Sequence, residues 1–221
     1  MLKAAKSKWF ELLFAAYNTN LLRRRFHSFR VRGLDNLPGP RRSLPLLIYA
    51  NHTSWWDGLA AFQISRKTGL DAYVMMEEKH LRRYLLFRKL GAFSVVRDSP
   101  RSAYRSLEYA ASLMKDDPRR ALWMFPQGEI VPAGRRPLGF YSGIEKLIEL
   151  TGGCIAVPVV FRYEFEGAFK PSVYAAVGEA IEISESEPAS VRDLEERMEL
   201  TLDDLEGAVL NRSLDGFRDL I

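Results

Sequence analysis

Polar and apolar positions along this chain follow two patterns, a helical period and short uninterrupted apolar runs. Residues 2–22, LKAAKSKWFELLFAAYNTNLL, predict a helix. Lys3, Ser7, Glu11 and Asn18 recur at intervals of four or seven and draw one narrow polar stripe. Trp9, Phe10, Leu12, Leu13, Phe14, Tyr17, Leu21 and Leu22 cover most of the remaining surface. Arg23, Arg24 and Arg25 follow, and their charge suits the negative end of a helix. A wide apolar face flanked by cations can lie in a bilayer interface or pack on its own domain, and the pattern leaves both open. After the turn-like LDNLPGPRR, the runs SLPLLIYA (43–50), DAYVMM (71–76), FSVVR (93–97), RALWMFP (120–126), IAVPVVFR (155–162) and SVYAAVG (172–178) predict strands. Pro158 marks the fifth as bulged or edge-placed, because proline cannot donate to a ladder. Helical patterns lie between and after these runs: KHLRRYLLFRKL (79–90), with Leu81, Leu85 and Phe87 around its apolar seam, SAYRSLEYAASLMK (102–115), IEKLIELT (144–151) and SVRDLEERMELTLDDLEGAVL (190–210). Strands separated by helices make this an α/β layer architecture.

Composition adds bounds rather than detail. The chain has 221 residues, 47% hydrophobic and 27% charged, enough for one domain with a sizeable core. No repeat, low-complexity segment or linker marks a second domain. The net charge of +4 is unevenly spread. Residues 1–32 carry Lys3, Lys6, Lys8, Arg23, Arg24, Arg25, Arg30 and Arg32 against Glu11 alone, whereas Glu195, Glu196, Glu199, Asp203, Asp204 and Glu206 crowd the last helix. The basic end suits anionic lipid. Nucleic acid is a poor partner, since the basic cluster is short and the acidic helix would repel a phosphate backbone. Cys154 is the single cysteine, which excludes an intrachain disulfide and reads as a small buried thiol in a reducing compartment. No secretory signal is evident, and no stretch reaches the ~20 apolar residues of a spanning helix.

The chemistry concentrates at NHTSWWDG, residues 51–58, directly after a predicted strand. His52 and Asp57 are five positions apart, which on a straight helix places them about 140° apart. They meet only if the chain turns between them. Thr53 and Ser54 can cap a helix and Gly58 permits a bend, so a strand-to-helix junction is expected here. A histidine oriented by a carboxylate is the material of a general base, although a capped helix with a satisfied histidine accounts for the motif as well. A second stretch, MFPQGEIVPAGRR (124–136), breaks a strand at Pro126. It gathers Phe125, Gln127, Gly128, Glu129, Arg135 and Arg136 where α/β proteins place binding groups. A third, GAFSVVRD (91–98), ends with Arg97, a candidate partner for an anionic group. No His/Cys cluster has metal-ligand spacing, GRRPLG lacks the Lys and Ser/Thr of a phosphate loop, and no Gly-x-Ser-x-Gly elbow is present.

In order, NHTSWWD, GAFSVVR, FPQGEIV and the Val157-Pro158-Val159 strand resemble the glycerolipid acyltransferase family, the type of 1-acylglycerol-3-phosphate acyltransferases, over roughly residues 30–180. The resemblance implies an α/β domain with a central, largely parallel sheet flanked by helices. Residues 30–221 would form that acyltransferase domain and residues 1–29 a basic amphipathic membrane-associating helix. It implies that His52, held by Asp57, deprotonates a lipid hydroxyl that attacks an acyl-CoA or acyl-carrier-protein thioester, with no metal or other cofactor. Arg97, Phe125, Pro126, Gln127, Gly128, Glu129 and Arg135 would contact substrate. It also implies work at the cytoplasmic face of the membrane; the oligomeric state stays open. The third motif departs from the family: Gln127 replaces a glutamate, and Glu129 and Ile130 replace threonine and arginine. Tyr141 replaces a lysine in a later stretch. Two cations associated with the acceptor's phosphate are therefore missing, so a neutral acceptor such as a glycolipid or hydroxylated isoprenoid stands beside a lysophosphatidate. A lipid-binding protein without turnover is the remaining alternative.

Overall fold

The computed structural model describes residues 1–221 apart from Pro40, Arg97 and Asp98. Its helices are α1 (Lys8–Arg25), α2 (Asp57–Thr68), α3 (Glu78–Arg83), α4 (Pro100–Asp116), α5 (Gly143–Thr151) and α6 (Val191–Leu210). Its strands are β1 (Phe29–Arg32), β2 (Leu46–Ala50), β3 (Asp71–Glu77), β4 (Ala92–Val95), β5 (Arg120–Met124), β6 (Cys154–Glu164), β7 (Ser172–Val177), β8 (Ile181–Ile183) and β9 (Arg218–Asp219). They form one sheet in the order β4-β3-β5-β2-β6-β7-β1-β9, with β8 added beside β6. The five strands from β4 to β6 are mutually parallel, whereas β7 and β8 run antiparallel to β6. The expected α/β architecture with a largely parallel sheet is therefore the one observed.

Residue alternation divides the core into two layers, because successive side chains of a strand point to opposite faces. On β2, Leu47 and Tyr49 face α4, α5 and α6, packing with Leu107, Ile144, Leu147 and Met198. Leu46, Ile48 and Ala50 face α1 and α2, packing with Leu22, Ala60, Ala61 and Ile64. All five residues of β2 are buried, which explains its uninterrupted apolar run. Cys154 is fully buried in the first layer, and burial pushes its thiol up to about 12. It is a packing residue, as its apolar surroundings indicated.

Three expectations change. Pro158 belongs to an inner strand rather than an edge: it pairs with Tyr49 of β2. It is accommodated because the other side of β6 changes partner there, from β8 at 154–156 to β7 at 159–164. The missing N–H falls in the gap between two ladders. The helix expected at 79–90 is divided, α3 giving way at Tyr84 to a 3₁₀ segment, Leu85–Leu90, that leaves Leu85 exposed rather than in the seam. The helix expected at 2–22 starts at Lys8 instead. Residues before it run extended beside β4, where the Leu2 carbonyl accepts from the Ser94 N–H at 2.8 Å. Strand β1 went unrecognised because two of its four residues are arginines; they lie on the outer side, where Arg30 reaches the Tyr174 hydroxyl and Arg32 pairs with Asp204.

Helix α1 is mounted against the usual sense of amphipathicity. Its polar stripe turns inward, where fully buried Asn18 donates to the Leu59 carbonyl and to Gln63 Oε1 on α2. Trp9, Leu12, Leu13 and Tyr17 stand 55–73% exposed on its outer side. No helix among the described residues is long and apolar enough to cross a membrane.

Candidate active site

The site lies at the carboxyl ends of β2 and β5, the edge where open α/β sheets bind ligands. Asn51 closes β2. Its side chain acts as one more pairing residue, accepting from the Phe161 N–H at 2.7 Å and donating to the Phe161 carbonyl at 3.0 Å. The next five residues turn the chain, and α2 starts at Asp57. That turn brings together the pair a continuous helix would separate: His52 Nδ1 lies 2.9 Å from Asp57 Oδ2. The same carboxylate oxygen accepts the Thr53 and Ser54 N–H groups at 2.8 and 2.9 Å, so Asp57 also caps its own junction. Asp57 is fully buried and His52 is about one-fifth exposed.

The loop after β5 clasps His52 from the other side. Gln127 Oε1 accepts from the His52 N–H at 2.6 Å, Gln127 Nε2 donates to the Leu138 carbonyl at 3.1 Å, and the Val131 N–H donates to the His52 carbonyl at 2.9 Å. Phe125 lies against the imidazole, ring centroids 4.6 Å apart. Gly128 makes the turn with φ of 69°, a left-handed conformation that glycine adopts without strain. With Nδ1 committed to Asp57, Nε2 is the imidazole nitrogen left for a substrate.

His52 forms part of the wall of a cavity of about 820 Å³. Phe14, Phe62, Val74, Met76, Leu90 and Trp123 give that cavity much of its apolar lining. Strand β3 contributes six consecutive residues, 72–77, to the lining, and none of its residues is fully buried. Phe125, Pro126, Gly128 and Glu129 lie on the same wall. Gln127 stands behind it, 2% exposed, as a clasp for His52. Arg135 is not brought to the cavity: it is exposed, with its guanidinium beside Gly139. Arg136 pairs instead with Asp203 on α6 at 3.0 Å. Arg97 lies outside the described residues. No cluster of three metal-binding side chains occurs among the described residues.

The sequence profile of the family described as Acyltransferase matches residues 28–162, well over half of the chain. The chain belongs to the acyltransferase family. A crystal structure titled as the 1-acyl-sn-glycerophosphate (LPA) acyltransferase PlsC from Thermotoga maritima is similar in fold, with a TM-score of 0.62 at 17% identity. The match covers 90% of this chain and 79% of that one. No curated protein matches the sequence significantly.

Sequence reading overlooked two members of this acyltransferase's site. Asn51 is one: an amide at the end of a buried strand is equipped to replace a backbone pair. Tyr163, one residue past the predicted end of its strand, donates from its hydroxyl to Asp57 Oδ1 at 2.6 Å. Its signal was a polar-tipped aromatic at a strand end that points to the active edge.

Proposed function

We propose that this acyltransferase moves a fatty acyl group from acyl-CoA or acyl-carrier protein to a lipid hydroxyl at a membrane surface. His52 is the general base, Asp57 its orienting partner, and the acceptor is of the lysophosphatidate type. One observation carries the reading: an imidazole fixed through Nδ1 by a buried carboxylate, 2.9 Å away, forms part of the wall of a large apolar cavity. The acceptor hydroxyl gives its proton to His52 Nε2 as its oxygen attacks the thioester carbonyl. Asp57 stabilises the imidazolium that forms. Collapse of the tetrahedral intermediate expels the thiolate, which recovers the proton from His52. The base accounts for roughly 10²–10⁴-fold of the rate. The cavity walls favour an acyl chain and limit water at the thioester. Phe125, Pro126, Gly128 and Glu129 contact substrate.

The outward apolar face of α1 supports the membrane placement. A helix whose polar stripe is used for packing and whose tryptophan and leucines face outward is suited to the lipid interface, with Arg23–Arg25 meeting anionic headgroups. Residues 1–29 are then the membrane-facing element, peripheral on the cytoplasmic leaflet where thioester donors are available. A second reading keeps the chemistry but changes the acceptor. Arg135 and Arg136 stand away from the cavity wall while Glu129 lines it, which favours a non-phosphorylated hydroxyl lipid, whereas Arg66, Lys79 and Lys146 in the same lining suit a phosphate-bearing one.

Transfer from radiolabelled acyl-CoA and acyl-carrier protein to lysophosphatidate, monoacylglycerol and glycolipid acceptors tests both readings. His52→Ala at the wild-type rate removes the proposed base. Preference for an uncharged acceptor replaces the first reading with the second.

A further inference from the structure

Asp57 has two carboxylate oxygens, and their partners are unequal. Oδ2 receives His52 Nδ1 and the Thr53 and Ser54 N–H groups. Oδ1 receives the Tyr163 hydroxyl at 2.6 Å, the only hydrogen-bond partner it has among the described residues. Asp57 is fully buried, so without that hydroxyl half of its charge would have neither a donor nor water. Tyr163 is itself held in place. Its backbone pairs with Val173 across the β6–β7 ladder, beyond the point where β2 ends opposite Val159. Its ring lies 5.8 Å from Phe26, which packs at 5.0 Å on Trp56. Burial and the adjacent Asp57 charge raise the phenol well above its ordinary range, which keeps it a donor at every working pH.

We propose that Tyr163 is a positioning residue of the reaction: its hydroxyl fixes the Asp57 carboxylate and, through it, sets the basicity of His52. The inference rests on His52 being the base. Each donor on Asp57 draws off negative charge that would otherwise stabilise the imidazolium. Removing the Tyr163 hydroxyl would therefore leave more negative charge on Asp57 to hold the proton that His52 takes from the acceptor. Phe125 and Gln127, which contact His52, carry no charge, and neither does Phe26, which packs on Tyr163. Glu129 lies on the cavity wall, and Glu11, Arg66, Glu77, Lys79, His80 and Lys146 are the other charged or imidazole side chains of its lining, with Tyr73, Tyr104 and Tyr141. Tyr163 does not line the cavity, so its effect falls on turnover rather than on substrate affinity.

The test compares wild type, Tyr163→Phe and protein carrying 3-fluorotyrosine at position 163, a stronger donor of nearly the same shape. Rates of acyl transfer are measured across pH, with a thermal melt of each protein. For Tyr163→Phe the expectation is a plateau kcat about tenfold lower, an unchanged KM and an acid limb moved up by about half a pH unit. Fluorotyrosine should move the limb downward. A structural role would lower kcat in step with the melting temperature and leave the limb at its wild-type position in both proteins, and that result overturns the proposal. His52→Ala, run alongside, separates the two failures. If it retains activity, the assignment of the base is wrong. If it is inactive while both Tyr163 proteins keep the wild-type limb, only the role of Tyr163 is wrong.

Discussion

Replacing Gln127 by glutamate changes one amide nitrogen into an oxygen. The side chain is 2% exposed, and its two ends have different obligations. Oε1 accepts from the His52 N–H at 2.6 Å, which a carboxylate also does. Nε2 donates to the Leu138 carbonyl at 3.1 Å, which an ionised carboxylate cannot do. Gln127→Glu loses that bond, about 1 kcal/mol net, and leaves a carbonyl facing a carboxylate oxygen in a desolvated site, a further ~1–3 kcal/mol. At this chain length ~2–4 kcal/mol corresponds to a melting temperature lower by roughly 5–12 °C. The sign of the pH dependence follows. Burial and the carbonyl both favour the protonated acid, so the folded-state pKa of the new glutamate lies above its unfolded value of about 4.3. Below about pH 4 both states hold the proton, the acid donates to Leu138, and variant and wild type should melt together. As pH rises, the unfolded chain releases the proton first and the gap opens, until the folded-state pKa is passed. Thermal melts of both proteins at several pH values between 4 and 8 measure this. A variant as stable as wild type near neutrality, or a gap independent of pH, refutes the claim that the Gln127 amide clasps the His52 backbone to Leu138.

Asp57→Asn removes the counter-charge of the imidazolium, although its amide oxygen can still accept the donors that Oδ2 receives; kcat should fall by about 10²–10⁴ in the transfer assay with little change in KM. Asn51→Ala unpairs both backbone groups of Phe161 and should cost ~2–3 kcal/mol in urea denaturation; a loss below 0.5 kcal/mol would show that the bonds at 2.7 and 3.0 Å contribute nothing net. Trp9→Ser with Leu13→Ser removes two outward side chains, 73% and 55% exposed, that take no part in the buried core. Co-sedimentation with anionic vesicles should weaken at least about tenfold while the circular dichroism stays unchanged, and undiminished binding would take α1 out of the interface.

What sequence made legible here tracks how locally each feature is determined. Strands β2 and β5 were plain because both faces are buried, and an uninterrupted apolar run has few other readings. The meeting of His52 and Asp57 was inferable as a condition: five residues apart, they touch only across a turn, and a turn follows β2. Strand β1 was hidden because its outer face meets Tyr174 and Asp204 from distant parts of the chain, so its arginines look like loop residues until the fold supplies partners. Pro158 misled for the same reason, since nothing local reveals that β8 and β7 leave a gap beside it. Arg135 was a reasonable candidate by position in a loop after a strand, but loop direction is decided by tertiary contacts. Here Gln127 ties that loop to Leu138 and α6 holds Arg136.

The adjacent tryptophans show how one sequence feature can serve two layers. Neighbouring residues at a helix start project about 100° apart, so Trp55 and Trp56 turn to different surroundings although their rings meet edge-on, centroids 6.4 Å apart. Trp55 is 49% exposed on the cavity wall, its ring 5.9 Å from Tyr84 and 6.5 Å from Phe87. Trp56 turns the other way, edge-on to Phe26 at 5.0 Å and packed against the α1–α2 core. Phe26 also touches Tyr163, so the inner tryptophan buttresses the tyrosine that holds Asp57. One tryptophan is therefore cavity wall and the other a core anchor. Trp55→Phe should act on substrate and on thioester hydrolysis, whereas Trp56→Phe should act through the dyad, because Trp56 packs directly on Phe26, which touches Tyr163.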